Sequence, residues 1–124
     1  MANFKQYFFN EYDMYRNSGS YTWTKPSDID ETKPILVHVW GAGGGGCDAH
    51  TLGYRPDGGG GGGLAVKLID PTALSATESI TIGAGSRTYN GVGGSSSFGS
   101  HCSASGGNSG YNSSPNEGSG SING

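Results

Sequence analysis

Hydrophobic and polar positions alternate in short runs separated by glycine, proline and serine. Tyr21-Thr22-Trp23-Thr24 alternates ring and hydroxyl, the pattern of a half-buried strand, and Pro26 ends it. In Ile35-Leu36-Val37-His38-Val39-Trp40, Ile35, Val37 and Val39 point one way and Leu36, His38 and Trp40 the other. Large groups on both sides predict a strand covered on both faces. Leu64-Ala65-Val66-Lys67-Leu68-Ile69 is a third strand, with Leu64, Val66 and Leu68 expected on one side. Asp70-Pro71 breaks it, and the stretch before Ser79 leaves room for one helical turn at most. Ser79-Ile80-Thr81-Ile82 is a fourth strand, ended by Gly83, and shorter strands are expected around residues 95–98 and 101–105. Turn signals at such short intervals predict an all-β, small β-sandwich-like domain. Its expected core is Trp23, Val37, Val39, Trp40, Leu64, Val66, Leu68, Ile80, Ile82 and Phe98.

Upstream of these strands lies an aromatic arm. Phe4, Phe8 and Tyr12 are spaced four apart, and Tyr7 and Tyr15 eight apart, so the five rings fit one face of a helix. Asn3 followed by Gln6 is a weak capping-box signal. Tyr and Phe also favour strands, so helix and extended chain both stay open. The stripe fits an arm packed on its own domain or one docked on a neighbouring subunit.

Composition narrows the class. Twenty-five of 124 residues are glycine, 32% are hydrophobic and 14% are charged. Glycine costs about 1 kcal/mol per helical position, which argues against a helical bundle. A net charge of -3 gives no basic surface for nucleic acid. There is no apolar run of membrane-spanning length, and the first residues lack the basic-then-apolar build of a secretory signal. Organisation follows composition: residues 1–18 form a docking arm, 19–107 a glycine-rich β domain, and 108–124 a Gly/Ser-rich C-terminal segment.

Gly41-Ala42-Gly43-Gly44-Gly45-Gly46 follows a strand and satisfies G-x-G-x-x-G, the dinucleotide fingerprint. That motif needs a helix next, and Pro56 with the glycines of residues 58–63 leaves no room for one. No glycine run is followed by Lys and then Ser or Thr, so a phosphate loop is excluded, and no G-X-Y period supports collagen. Poly-Gly alone behaves as a flexible linker. Two long runs between good strands instead predict ordered polyglycine II, the extended helix with three residues per turn. Without side chains, several such helices pack backbone to backbone and exchange N–H···O=C bonds.

Other candidate chemistry is thin. Cys47 and His50 have C-x-x-H spacing and His101 and Cys102 are adjacent, but neighbours on a strand face opposite ways, so a zinc site is disfavoured. A Cys47–Cys102 disulfide is possible by count; two unpaired thiols in small-residue packing are the simpler reading. Asp28, Asp30 and Glu31 read as a solvated acidic turn, because calcium needs more oxygen ligands in a fixed loop. His38 reads as a hydrogen-bonded core or interface histidine. No serine has a base and orienting acid at a recognisable spacing, so no catalytic residue, metal or cofactor is expected.

One set of segments resembles a known family. Gly19-Ser20-Tyr21-Thr22-Trp23-Thr24-Lys25-Pro26, Val37-His38-Val39-Trp40-Gly41-Ala42-Gly43-Gly44-Gly45-Gly46, Gly59–Gly63 with Leu64-Ala65-Val66-Lys67, Ile80-Thr81-Ile82-Gly83-Ala84-Gly85, and Gly93-Gly94-Ser95-Ser96-Ser97-Phe98-Gly99 with Ala104-Ser105-Gly106-Gly107 resemble the glycine-rich domain of bacteriophage tail fibre and tail-tip proteins. The resemblance covers roughly residues 19–110. It implies a β-rich fold with glycine loops, no catalysis, a virion location, and a role in fibre tips or host attachment. It also implies other virion tail proteins as partners and a homo-oligomer, with a trimer favoured. The aromatic arm replaces the long shaft common upstream of such domains, and Phe4, Tyr7, Phe8, Tyr12 and Tyr15 are the candidate assembly contacts. The chain stops at Ser121-Ile122-Asn123-Gly124, where the resemblance implies a further strand.

Few large side chains are left to line a deep pocket, so binding is expected on polar loop tips. Tips that bind well mix rigid rings with adaptable small polar groups. Tyr54, Arg55 and Asp57, Tyr89 and Asn90, and Tyr111 and Asn112 have that mixture. A tyrosine ring stacks on a sugar while Asn, Ser or Arg makes hydrogen bonds, so the expected target is a host surface glycan or membrane-protein loop. The alternative is a purely structural glycine-rich connector that binds no receptor.

Overall fold

The computed structural model describes residues 11–47 and 57–110. Its order is β1 (Gly19–Thr24), β2 (Ile35–Trp40), β3 (Leu64–Ile69), a 3-10 turn (Pro71–Ala73), β4 (Thr77–Ile82), β5 (Ser96–Phe98) and β6 (Cys102–Ala104). Every strand expected from the alternation forms, and residues 11–16 are not helical. The single turn is fixed by its cap: Asp70 Oδ1 accepts from Thr72 N at 3.0 Å, and Pro71 supplies a helical φ at no cost.

Two antiparallel sheets make the all-β fold. One has the order β1-β4-β5-β6, and the other pairs β2 with β3. The β2–β3 ribbon packs on β5 and β6. Between the layers lie Trp23, Val39, Ala65, Ile69, Leu74, Ile80, Phe98, Cys102 and Ala104. Trp23 meets Phe98 edge-on, with ring centroids 5.6 Å apart at 70°. Asp13 Oδ2 accepts from the Trp23 indole at 3.1 Å, and Tyr15 lies against Tyr21 at 5.3 Å. Residues 13–15 therefore finish the core beside β1.

The ribbon's facing differs from expectation. Trp40 is 60% exposed, Leu68 47% and Val66 43%, so these three leave the predicted core, and Leu64 is only half-buried. Register decides this. Ile35, Val37 and Val39 face inward on β2, opposite Ile69, Lys67 and Ala65, so the odd-numbered residues of β3 face inward too. Small groups suit this contact: Ala65, Ala104 and Ser96 are almost fully buried where the layers meet. Lys67 lies at the rim and donates from Nζ to His101 O at 2.9 Å. On the outer face of β2, Leu36 is half-buried while His38 and Trp40 are exposed, so among the described residues this side is not covered as the sequence predicted.

Beyond the sheets, the glycine segments form a second body joined by a lattice of backbone hydrogen bonds. Gly41, Gly44 and Cys47 donate to the carbonyls of Gly63, Gly60 and Asp57. Ala42 and Gly45 donate to Gly94 and Gly91. The carbonyls of Gly43 and Gly46 accept from Ser86 and Asn90. Successive residues thus address three different neighbours, and each neighbour is met again three residues on. That is the polyglycine II repeat, whereas a β-strand addresses two sides only. The neighbours also bond to one another: Gly60 and Gly63 donate to Asn108 and Ser105, Gly93 to Gly107, and Gly94 to Ala84. Gly107 and Gly110 close the set by donating to Ala42 and Gly45. These bonds are 2.8–3.1 Å long.

Glycine is required here for space. A Cβ on Gly44 would overlap Asn108 O, one on Gly62 Gly41 O, and one on Gly93 Ala42 O. At the outward positions Gly58 and Gly61 a Cβ would meet nothing within 4 Å.

Candidate binding surface

The bundle has two unlike ends. At one, residues 41, 63, 83, 95 and 105 continue directly from or into β2, β3, β4, β5 and β6. At the other, Cys47 N donates to Asp57 O at 3.0 Å, Asn90 N to Gly46 O at 3.1 Å, and Gly110 N to Gly45 O at 2.9 Å. The chain therefore leaves for residues 48–56, turns through 87–90, and leaves for 111 onward at the same distal end. Those points are the roots of all three loops singled out by their tyrosines.

The turn 86–91 is the described part of this end. Tyr89 is 71% exposed, and Arg87 and Asn90 are exposed beside it. Asn90 has a φ of 61°, a left-handed conformation that Asn tolerates better than most residues. Gly91 N donates to Thr88 O at 3.2 Å, and the Ser86 hydroxyl donates to the same carbonyl at 3.0 Å. A Cβ on Gly91 would overlap that hydroxyl, so glycine holds the turn tight. Tyr89 thus stands on a turn whose backbone is already arranged. Asp57 is half-buried at the root of its loop, and its N–H lies 3.1 Å from Cys47 Sγ. Tyr54, Arg55, Tyr111 and Asn112 lie outside the described residues, as do Phe4, Tyr7, Phe8 and His50. Tyr12 is 84% exposed, whereas Tyr15 packs on its own chain.

Other chemistry is dispersed. No disulfide joins Cys47 to Cys102. Cys102 is buried on β6, and burial pushes its thiol up. Asp30 accepts from the Thr32 backbone and hydroxyl, which lowers its carboxyl, and Glu31 pairs with Lys25 at 2.9 Å. The open groove formed by Lys25, Pro26, Ser27, Ile29, Asp30, Glu31 and Ala76 lies at the strand ends remote from the bundle, with its charges engaged in those local contacts.

A pair missed in the sequence is Glu78 with His101, 3.1 Å apart. The Ser75 N–H, and then His101, hold the Glu78 carboxyl below the usual range. The partners sit on β4 and in the β5–β6 turn, and no spacing rule connects them.

A family of proteins described as the glycine-rich domain matches residues 16–124. The chain belongs to the glycine-rich domain family. The matched region starts just before β1 and takes in both sheets and every segment of the bundle. No curated protein and no solved structure matches the chain.

Proposed function

We propose that this glycine-rich domain is a non-enzymatic virion protein, a component of a bacteriophage tail fibre or tail tip that contributes to host attachment. The observation that carries the reading is the common origin of three tyrosine-bearing loops at one end of a backbone-bonded bundle. A fibre tip needs loops that vary in side chain without disturbing their support. A bundle held by main-chain bonds meets that need, because its stability does not depend on what the loops carry. Ordering the loop roots before contact also lowers the entropic cost of binding.

On this reading the target is a host surface glycan or a membrane-protein loop, met by Tyr89 and Asn90 with Tyr54, Arg55, Asp57, Tyr111 and Asn112. Other tail proteins and further copies of the chain are its partners in the particle, with three copies favoured. The test is adsorption by particles carrying Tyr54→Ala, Tyr89→Ala and Tyr111→Ala, singly and together, after assembly is checked. Loss of adsorption by assembled triple variants supports the reading. Normal adsorption sinks it and leaves a structural connector.

A further inference from the structure

The outer face of the β2–β3 ribbon is an apolar surface with no partner element among the described residues. Register places Leu36 opposite Leu68, His38 opposite Val66 and Trp40 opposite Leu64 on this face. The His38 and Trp40 rings lie 5.5 Å apart and tilted by 31°. Neither β2 nor β3 puts a charged side chain on this face, because Lys67 is directed to the other side. In a chain only 32% hydrophobic, leaving Trp40, Leu68 and Val66 this open implies a surface that something covers.

We propose that the occupant is the aromatic arm of a second copy of this chain, residues 4–12. Two observations direct the arm to a neighbour. Tyr12, four residues on from Phe8 and eight from Phe4 in the sequence, is 84% exposed, so the described end of the stripe is not taken up by its own domain. By contrast, Tyr15 and Asp13 are anchored at β1 through Tyr21 and Trp23, which fixes where the arm departs. The ten residues before Glu11 reach about 30 Å when extended, enough to cross a two-stranded ribbon. Arm on one side and ribbon face on the other make a head-to-tail contact, which closes into a ring when the rotation allows. This inference rests on the homo-oligomer part of the proposed function, and its test involves no host.

The experiment is sedimentation of the full-length chain and two variants. One carries Phe4→Asp with Phe8→Asp; the other carries Val66→Asp with Leu68→Asp. The wild type is expected to be an oligomer and each variant a monomer. Mixed together, the variants are expected to form a one-to-one pair, since one retains the face and the other the arm. Acrylamide quenching of Trp40, assigned with Trp40→Phe, gives a second readout that does not depend on the ribbon variant folding. It should rise several-fold in the arm variant.

Three results would overturn the inference. A monomeric wild type with Trp40 open to quencher leaves the face to another protein. A monomer whose Trp40 is shielded until the arm is changed means the arm folds back on its own chain. An oligomer that survives the arm variant means the ribbon faces pair directly.

Discussion

Two tryptophans with similar sequence surroundings have opposite roles. Trp23 is 9% exposed, lies edge-on to Phe98 and donates to Asp13, whereas Trp40 stands on the open outer face. Trp23→Ala should cost about 3–5 kcal/mol, as large-to-small core changes do. That is a large share of a typical domain stability of about 5–15 kcal/mol. Trp40→Ala should cost far less in the isolated monomer, and urea unfolding of both variants measures the contrast. Equal losses would show that the ribbon has been faced the wrong way. Glu78 carries a pH dependence. Its folded carboxyl is depressed, so its stabilisation is present above the ordinary carboxylate range and is lost as pH falls through the folded value. Melting followed from neutral into acid should therefore fall less steeply for Glu78→Gln than for the wild type. Some slope remains, because Asp30 and Asp70 are lowered by their own Thr32 and Thr72 bonds.

Within the elements, tolerance of side chains in the glycine segments should depend on facing rather than on run length. Gly44→Ala forces a methyl into Asn108 O and should unfold or loosen the bundle. Gly61→Ala meets open space at a φ outside the left-handed region, and should stabilise by about 0.4–1 kcal/mol through the unfolded chain. Thermal melting of the two variants checks both signs. Much of this level was legible in the sequence. The strand Ile35–Trp40 is marked by alternating β-branched residues between Pro34 and Gly41, and Leu64–Ile69 by the glycine run and Asp70-Pro71. The facing of β3 was not, because bulk favours Leu64, Val66 and Leu68 while the layer contact selects Ala65 and Ile69. Poly-Gly allowed the three-residue helix to be inferred. It carried no sign of which glycines face a neighbour, since identical residues have no pattern to read. The loops were legible as ring-and-polar mixtures, but their convergence at one end follows from chain direction through the bundle.

At the scale of the whole molecule, the chain is a two-layer β body continued by a bundle that carries its turns to a distal end. The glycine runs are ordered structure and not linkers. Amide hydrogen exchange, followed by NMR on the full chain, tests this most directly. The amides of Gly44, Gly45, Gly60, Gly63, Gly93 and Gly107 each donate within the bundle. They should exchange orders of magnitude more slowly than free glycine amides, in one cooperative unit with the strands they continue. Exchange at the rate of an unstructured chain would contradict the account.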